Sequence, residues 1–517
     1  MANEANSPVD PFGSVRSLAF DSCDNLGRSN RDLEKTKFFL PFASLMGDRV
    51  LEKSRRSFSL ISRHFREWKY AFGGRESWED RDLDLASLKL LRSQQLTVKN
   101  SFATIMHSVH KVMLGHRSIL HGMIRRASTT IAKTEPDSST FTPNWTFYHK
   151  DMDVVIAGPN QLQIKPQNVD AIKFGHCYSD HMIEVDWSIS EGWTRPLLSP
   201  LHNFQLHPGA KVLHYAIELF EGMKAYRGVD NRIRLFRPER NMERMRRTAA
   251  RASLPDFDPE ELIKIIAALI QVDKEWVPYS NTGSLYIRPT MIGTDPTLGV
   301  AHTNEAKLFV LSGPAGAYYP TGMKPVSLLA DSSFVRAFPG GVGQYKMGCN
   351  YAPTILIGKR AAEMGCQQVL WLYDEDEKLT EVGTMNIFVY WTNEQGEEEL
   401  LTPPLTDGLI LPGVTRESLL TLCHEWNEFK VTERYPTMEE IRRGIMENRV
   451  KQIFGAGTAC VVSPVGRILY RNPHTRQYED LMIPTMTAGN LMQRLYDTIL
   501  NIQYGRIEMP GWTRLVS

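Results

Sequence analysis

The sequence predicts an α/β (α+β) body folded in two halves behind a long N-terminal extension. Three observations carry this. Strand-like and helix-like patterns alternate from Phe174 onward, a Pro- and Gly-containing connector runs from Pro320 to Pro325, and the composition changes near residue 150. A chain of 517 residues has room for two or three domains at roughly 100–200 residues each. The boundaries read as an extension over 1–150, a smaller α+β domain over 151–320, a linker over 321–330 and a larger domain over 331–517.

The extension is rich in Ser, Arg and Lys and has little sustained periodicity, the composition of a largely disordered segment. Between Leu85 and Thr134 it contains no Asp or Glu. Within that stretch, Val109, Met113, Ile119, Met123 and Ile124 fall roughly on one helical face. An acid-free amphipathic stretch with Arg and Ser has the make-up of a mitochondrial transit peptide, here over 106–134. Such a peptide normally begins a chain. Two readings stand: a basic extension with chance periodicity, or a translation start at Met106 or Met113. The expected compartment is the mitochondrial matrix if the segment is a true transit peptide, and the cytoplasm otherwise.

In the body, VDWSISEGW and KVLHYAIELFEGMKAYRG alternate as strands ending in Gly turns. FRPERNMERMRRTAARASL opens a helix with Pro at an early position. PEELIKIIAALIQVDKEWV places Leu262, Ile265, Ile266, Leu269 and Val272 on one face of another helix. SLYIRPTMIG and AKLFVLSGPAGAYY read as strands. After the connector come VSLLA, a Gly-rich turn, a helix over Ala352–Met364, and the strands QVLWLYD and EVGTMNIFVYW.

The net charge of +1 gives no support to a nucleic-acid binder. Six cysteines lie far apart with no CxxC pair, which points to reduced thiols. No apolar run approaches the roughly 20 residues that span a bilayer, so a soluble protein is expected.

Four segments hold the chemistry. GGVGQYKMGCNY (Gly340–Tyr351) sets Lys346 among glycines, TEVGTMNIF carries Glu381 and Thr384, and LPGVTR and GAGTAC are Gly-containing turns that read as entering helices. Backbone N–H groups at such turns bind anions whatever their side chains. On these four segments, and on agreement running from about Phe174 to Gly505, the chain resembles the mammalian-type branched-chain aminotransferases of the class IV, fold type IV, pyridoxal-phosphate family.

The resemblance implies a Schiff base between Lys346 and pyridoxal 5'-phosphate, because only an amine forms an imine that a substrate amine can displace. It further implies that Tyr351 bonds the cofactor's O3′, that Glu381 pairs with the ring nitrogen, and that Thr384 lies on the ring face. Val414, Thr415 and Thr458 would bind phosphate with Arg244. Phe174, Tyr215, Tyr286, Arg288, Tyr318 and Tyr351 would line the substrate pocket, with Arg288 accepting the second carboxylate of glutamate. Ala459 would give an N–H to the α-carboxylate, and Leu298 and Val300 would reach a partner subunit's site in a homodimer.

No metal is expected. The implied reaction is ping-pong transfer from leucine, isoleucine or valine to 2-oxoglutarate, with amino acids and 2-oxo acids as the small-molecule partners. The alternatives are a D-amino-acid aminotransferase, an aminodeoxychorismate-type lyase, and a catalytically dead relative kept as a binding partner. The family's CxxC after GT reads Cys460-Val-Val-Ser463 here, so a disulfide between those positions is impossible.

Overall fold

The computed structural model describes residues 144–168, 172–316 and 323–516. Residues 1–143 with their acid-free segment, the first half of the connector, and Tyr318 lie outside the described residues.

One boundary needs correction, because residues 144–150 belong to the folded body. Phe147 is 2% exposed, its ring edge-on to Trp193 at 5.1 Å and stacked on Phe257 at 6.1 Å. Asn144 bridges to Gly192, and the backbone N–H of His149 donates to Glu261 at 2.7 Å. Its aromatic neighbours Trp145 and Tyr148 are exposed, so no sequence periodicity singles out the one ring that is buried.

The first sheet is built from β1 (Asp153–Val154), β2 (His181–Ser188), β3 (Gly192–Trp193), β4 (Leu197–Pro200), β5 (Glu218–Phe220), β6 (Met223–Arg227), β7 (Ile233–Phe236), β8 (Ser284–Gly293) and β9 (Glu305–Ala315). Its order is β1-β4-β2-β9-β8-β6-β7, with β3 on β2 and β5 on β8. The second sheet holds β10 (Val326–Ala330), β11 (Gln368–Tyr373), β12 (Lys378–Val382), β13 (Met385–Thr392), β14 (Glu398–Thr402), β15 (Lys430–Glu433), β16 (Val450–Gly457), β17 (Val461–Arg471) and β18 (Tyr478–Met482). Its order is β12-β11-β10-β17-β16-β13-β14-β15, and β12 also pairs with β13, which closes the first six strands into a ring. The last strand, β19 (Thr513–Leu515), returns to pair antiparallel with β7 of the first sheet.

Helices cover the sheets where the sequence supplies an apolar face. Helix α1 is Lys211–Tyr215, α2 Pro238–Ala252, α3 Pro259–Val272, α4 Thr354–Glu363, α5 Val414–Trp426, α6 Met438–Met446 and α7 Leu491–Gln503. In α3 the Asp258 side chain caps the N–H groups of Glu260 and Glu261. Leu262, Ile265, Ile266 and Leu269 are fully buried as the spacing predicts, Ile263 and Ile270 join them, and Val272 packs half-buried at the edge. Each such side chain contributes about 1.5–3 kcal/mol of burial.

KVLHY, read as strand, forms helix α1 instead. Lys211 is 2% exposed; its Nζ pairs with Asp295 at 2.8 Å and donates to the His302 carbonyl at 2.6 Å. This staple, made 84–91 residues away in sequence, overrides a local pattern that suits a strand. GAGTAC also differs, since it turns between the antiparallel strands β16 and β17 rather than entering a helix.

Candidate active site

Helix α2 presents Asn241, Arg244 and Thr248 inward, spaced three and four residues apart on one buried stripe. Glu221, 0% exposed, follows β5 and receives Arg244 as a two-pronged pair: Nε at 2.7 Å and a terminal nitrogen at 2.8 Å. Asn241 donates to the same carboxylate at 2.9 Å. Burial pushes the Glu221 carboxyl up, but the Arg244 charge and hydrogen bond outweigh it, leaving the group below its ordinary range. The remaining Arg244 nitrogen donates to the Pro412 carbonyl at 3.0 Å, directly before α5. Sequence reading missed Glu221; an acid inside a strand-like apolar run was its only signal.

The Lys346 segment is clamped by its backbone. Its N–H donates to the Thr248 hydroxyl at 3.2 Å, and its carbonyl accepts from the Phe220 N–H at 3.1 Å. Asn350 donates to the carbonyls of Val342 and Tyr345, both at 2.8 Å. The Lys346 Nζ donates to the Tyr351 hydroxyl at 3.2 Å and lies 4.6 Å from the Phe220 ring centre. Burial, then the Arg244 charge, lowers its ammonium to about 7; Glu221 and Glu381 oppose the shift. Burial, followed by Glu381, pushes the Tyr351 hydroxyl well above the usual tyrosine range, so it stays protonated.

Glu381 stands near the end of β12, 3% exposed. It accepts from the Leu411 N–H at 2.7 Å and lies 3.1 Å from Arg336 Nε. That Nε makes no aligned hydrogen bond; Arg336 spends a terminal nitrogen on the carbonyls of Gly343 and Leu409. Burial pushes the Glu381 carboxyl up against the lowering effect of Arg336. Thr384 is exposed in the two-residue hairpin after Val382, opened by Gly383 at φ +56.

The N-terminus of α5 meets this cluster at Gly413, Val414 and Thr415. No side chain among the described residues caps it, so its first N–H groups are open to an anion. A Cβ on Gly413 would lie 2.1 Å from the Asn386 amide oxygen, so a larger residue would disturb the cradle. Thr458 and Ala459 sit half-buried on the β16–β17 turn, followed by Val461 at φ +62, a strained conformation for a β-branched residue. The Cys460 thiol packs 3.2 Å from the Met385 sulfur, and burial pushes it up to about 12.

Tyr286 and Arg288 alternate on one face of β8. The Arg288 guanidinium donates to the Tyr286 hydroxyl at 2.9 Å and lies 4.7 Å from the Phe220 ring, while its Nε is buried without a hydrogen-bond partner among the described residues. Phe174, half exposed, sets its ring edge-on to Tyr286 at 4.8 Å. Tyr215 and Val300 lie at a loop edge: the Tyr215 hydroxyl donates to the Leu298 carbonyl, and Val300 is 84% exposed.

Gly222 makes room for Tyr286. A Cβ there would sit 2.1 Å from the Tyr286 hydroxyl oxygen. Gly222→Ala is therefore expected to lower kcat/KM for substrate by roughly 10–100-fold through displacement of Tyr286 and Arg288. The cofactor spectrum should be unchanged. Steady-state kinetics beside an absorbance scan would check this, and unaltered kcat/KM would contradict it.

These residues fit pyridoxal phosphate on their chemistry alone: an amine lowered toward neutrality, an uncapped helix N-terminus beside an arginine, and a buried carboxylate, Glu381. The class IV amino-transferase family matches residues 218–468. The cytosolic branched-chain-amino-acid aminotransferase of Caenorhabditis elegans is 63% identical over 370 residues, covering 71% of this chain and 89% of that protein. The mitochondrial branched-chain-amino-acid aminotransferase of Bos taurus is 52% identical over 358 residues, covering 69% and 89%. A solved structure of the T.th. branched-chain amino acid aminotransferase with pyridoxamine 5'-phosphate aligns with a TM-score of 0.50 at 26% identity, over 64% of this chain and 98% of that one. Identity at the level of the nematode enzyme, over nearly nine-tenths of its length, places the chain among the class IV, pyridoxal-phosphate-dependent branched-chain-amino-acid aminotransferases.

Proposed function

We propose that the chain transfers the amino group of L-leucine, L-isoleucine or L-valine reversibly to 2-oxoglutarate, with Lys346 as the catalytic residue. The observation that carries this reading is the Lys346 amine, set against Tyr351 and Phe220 with Arg244 and Glu381 in electrostatic reach. Pyridoxal phosphate, when bound, supplies an amine-reactive carbonyl and an electron-withdrawing ring.

The protein's own groups do the rest. Val414 and Thr415 N–H groups, Thr458 and Arg244 would hold the phosphate. Tyr351 donates a hydrogen bond from a hydroxyl that stays protonated, Glu381 supplies the negative charge for a ring nitrogen, and Thr384 borders the ring. With the cofactor bound, the Lys346 Nζ would be the base that takes the proton from the substrate Cα and the acid that gives it back. Phe174, Tyr286 and Phe220 offer an apolar wall to branched side chains, with Tyr215 as further lining and Val300 reaching the site of a partner subunit. Arg288, with its unpartnered Nε, meets the distal carboxylate of 2-oxoglutarate. The 2-oxo acid product leaves before 2-oxoglutarate enters, which makes the kinetics ping-pong.

The exposed Leu298 and Val300, at 68% and 84%, support a homodimer in which this loop is covered. Relatives include both cytosolic and mitochondrial enzymes. We infer a matrix location if segment 106–134 directs import and a cytoplasmic one if it does not; mass spectrometry of the native N-terminus distinguishes the two.

Glutamate formation from 2-oxoglutarate with L-leucine, against D-alanine as the rival donor, tests the activity; preference for D-alanine would overturn it. A pH dependence follows as well. Cofactor uptake needs the neutral amine, which an ordinary lysine supplies only near pH 10.5. With Lys346 lowered to about 7, the rate of uptake by cofactor-free protein is expected to rise with pH through about 7, as the ammonium gives up its proton. A rate still climbing steeply at about pH 10 would contradict the lowered amine.

A further inference from the structure

One buried lysine is left without a task by the reading above. Lys224 lies on β6, where every residue from Met223 to Arg227 is buried, and it is itself 8% exposed. In the antiparallel register it pairs with Tyr286 of β8, so both side chains leave the sheet on the same face. From there its Nζ crosses to the second sheet and donates to the Ala459 carbonyl at 2.8 Å. Burial lowers its ammonium to about 8, against the opposing Cys460, so at pH 7 it remains mostly charged.

The charge count around it is uneven. Arg244 is matched by Glu221 and Arg336 by Glu381. Lys224 has no carboxylate within ion-pair distance among the described residues; its bond is to a carbonyl. A buried cation without a counter-ion is costly unless an anion arrives to meet it. Arg288, which has no carboxylate partner among the described residues either, lies beyond Tyr286 on the same sheet face. Two unmatched cations on either side of one tyrosine suit a substrate that brings two carboxylates, one at each end.

We propose that Lys224 is the positioning residue for the substrate's α-carboxylate, holding the Thr458–Cys460 turn by its Ala459 carbonyl and supplying the charge that draws the carboxylate to that turn. This rests on the transamination reading above. The Ala459 peptide is the relay: with its carbonyl tied to Lys224, its neighbouring N–H groups are fixed in direction and polarised toward the incoming anion. The turn runs straight into Val461 in its left-handed conformation, a strain that persists only where surrounding contacts hold it.

The test uses holoenzyme and two ligands of one shape, 4-methylpentanoate and its uncharged amide 4-methylpentanamide, titrated by calorimetry. Lys224→Met keeps the side-chain volume and removes the charge and the donor; Lys224→Arg keeps both. Lys224→Met should weaken the carboxylate by about tenfold or more, the usual scale for a hydrogen bond to a charged group, while the amide changes little. Lys224→Arg should bind the carboxylate nearly as wild type does. Equal weakening of both ligands, or no weakening of the carboxylate, would overturn the proposal. Should wild type bind the carboxylate tightly yet form no glutamate from leucine, the transamination reading would fall while the assignment of Lys224 would stand.

Discussion

Lys346→Ala is expected to abolish turnover, lowering kcat by at least about 10⁴-fold, because in the proposed mechanism one group supplies both the covalent attachment point and the proton shuttle. The variant should remain folded. The clamps on this segment run through the backbone, from Lys346 N–H to Thr248 and from the Phe220 N–H to the Lys346 carbonyl, and alanine retains them. Removing a charged amine from a partly buried position relieves desolvation rather than opening a large cavity. A thermal melt alongside single-turnover kinetics would separate the outcomes. Retention of more than a few per cent of kcat with an intact fold would show that another group carries the reaction.

The second large effect is at Glu381. Glu381→Gln keeps an oxygen for the Leu411 N–H but removes the charge that would stabilise a protonated ring nitrogen. A loss of roughly 10²–10³-fold in kcat is expected, the scale found on removing one preorganised electrostatic group. Glu381→Ala should cost stability as well. It leaves Arg336, whose side chain is 6% exposed, as a buried cation without its carboxylate; breaking such a pair costs about 3–5 kcal/mol. Denaturant unfolding of the two variants separates the roles: Gln should be impaired mainly in turnover, Ala in both. Full activity in Glu381→Gln would remove the carboxylate from the mechanism.

The sequence made some of this legible and hid the rest for physical reasons. The apolar face of α3 follows from spacing alone, because burial of Leu262, Ile265, Ile266 and Leu269 needs no information beyond period. Lys346, Glu381, Arg244 and the Val414 turn were reachable through resemblance, since each sits in a short motif. Glu221, Arg336 and Lys224 were not: their meaning lies in partners 23, 45 and 235 residues away. For Lys224 the sequence offered only a charge inside an otherwise apolar strand, and such a charge more often marks an exposed edge. KVLHY misled for the opposite reason. Its apolar and aromatic residues suit a strand, but Lys211 is turned inward to hold Asp295 and His302, and a five-residue helix satisfies that better than a strand. The GAGTAC turn looked like a helix entry because Gly-containing anion sites often are; it is instead a turn between strands that leads into Val461 at φ +62. Phe147 shows how one buried aromatic can move a domain boundary by several residues.

The central claim, that the cofactor is held on Lys346, is tested most directly by borohydride reduction of the purified protein followed by peptide mapping in a mass spectrometer. Reduction fixes the cofactor to whichever amine holds it. The expected result is one pyridoxyl-modified peptide spanning Gly340–Tyr351, with the added mass on Lys346, and loss of that label when L-leucine is added before the reductant. Label on Lys224 or another lysine, or label on Lys346 that L-leucine fails to prevent, would contradict the account.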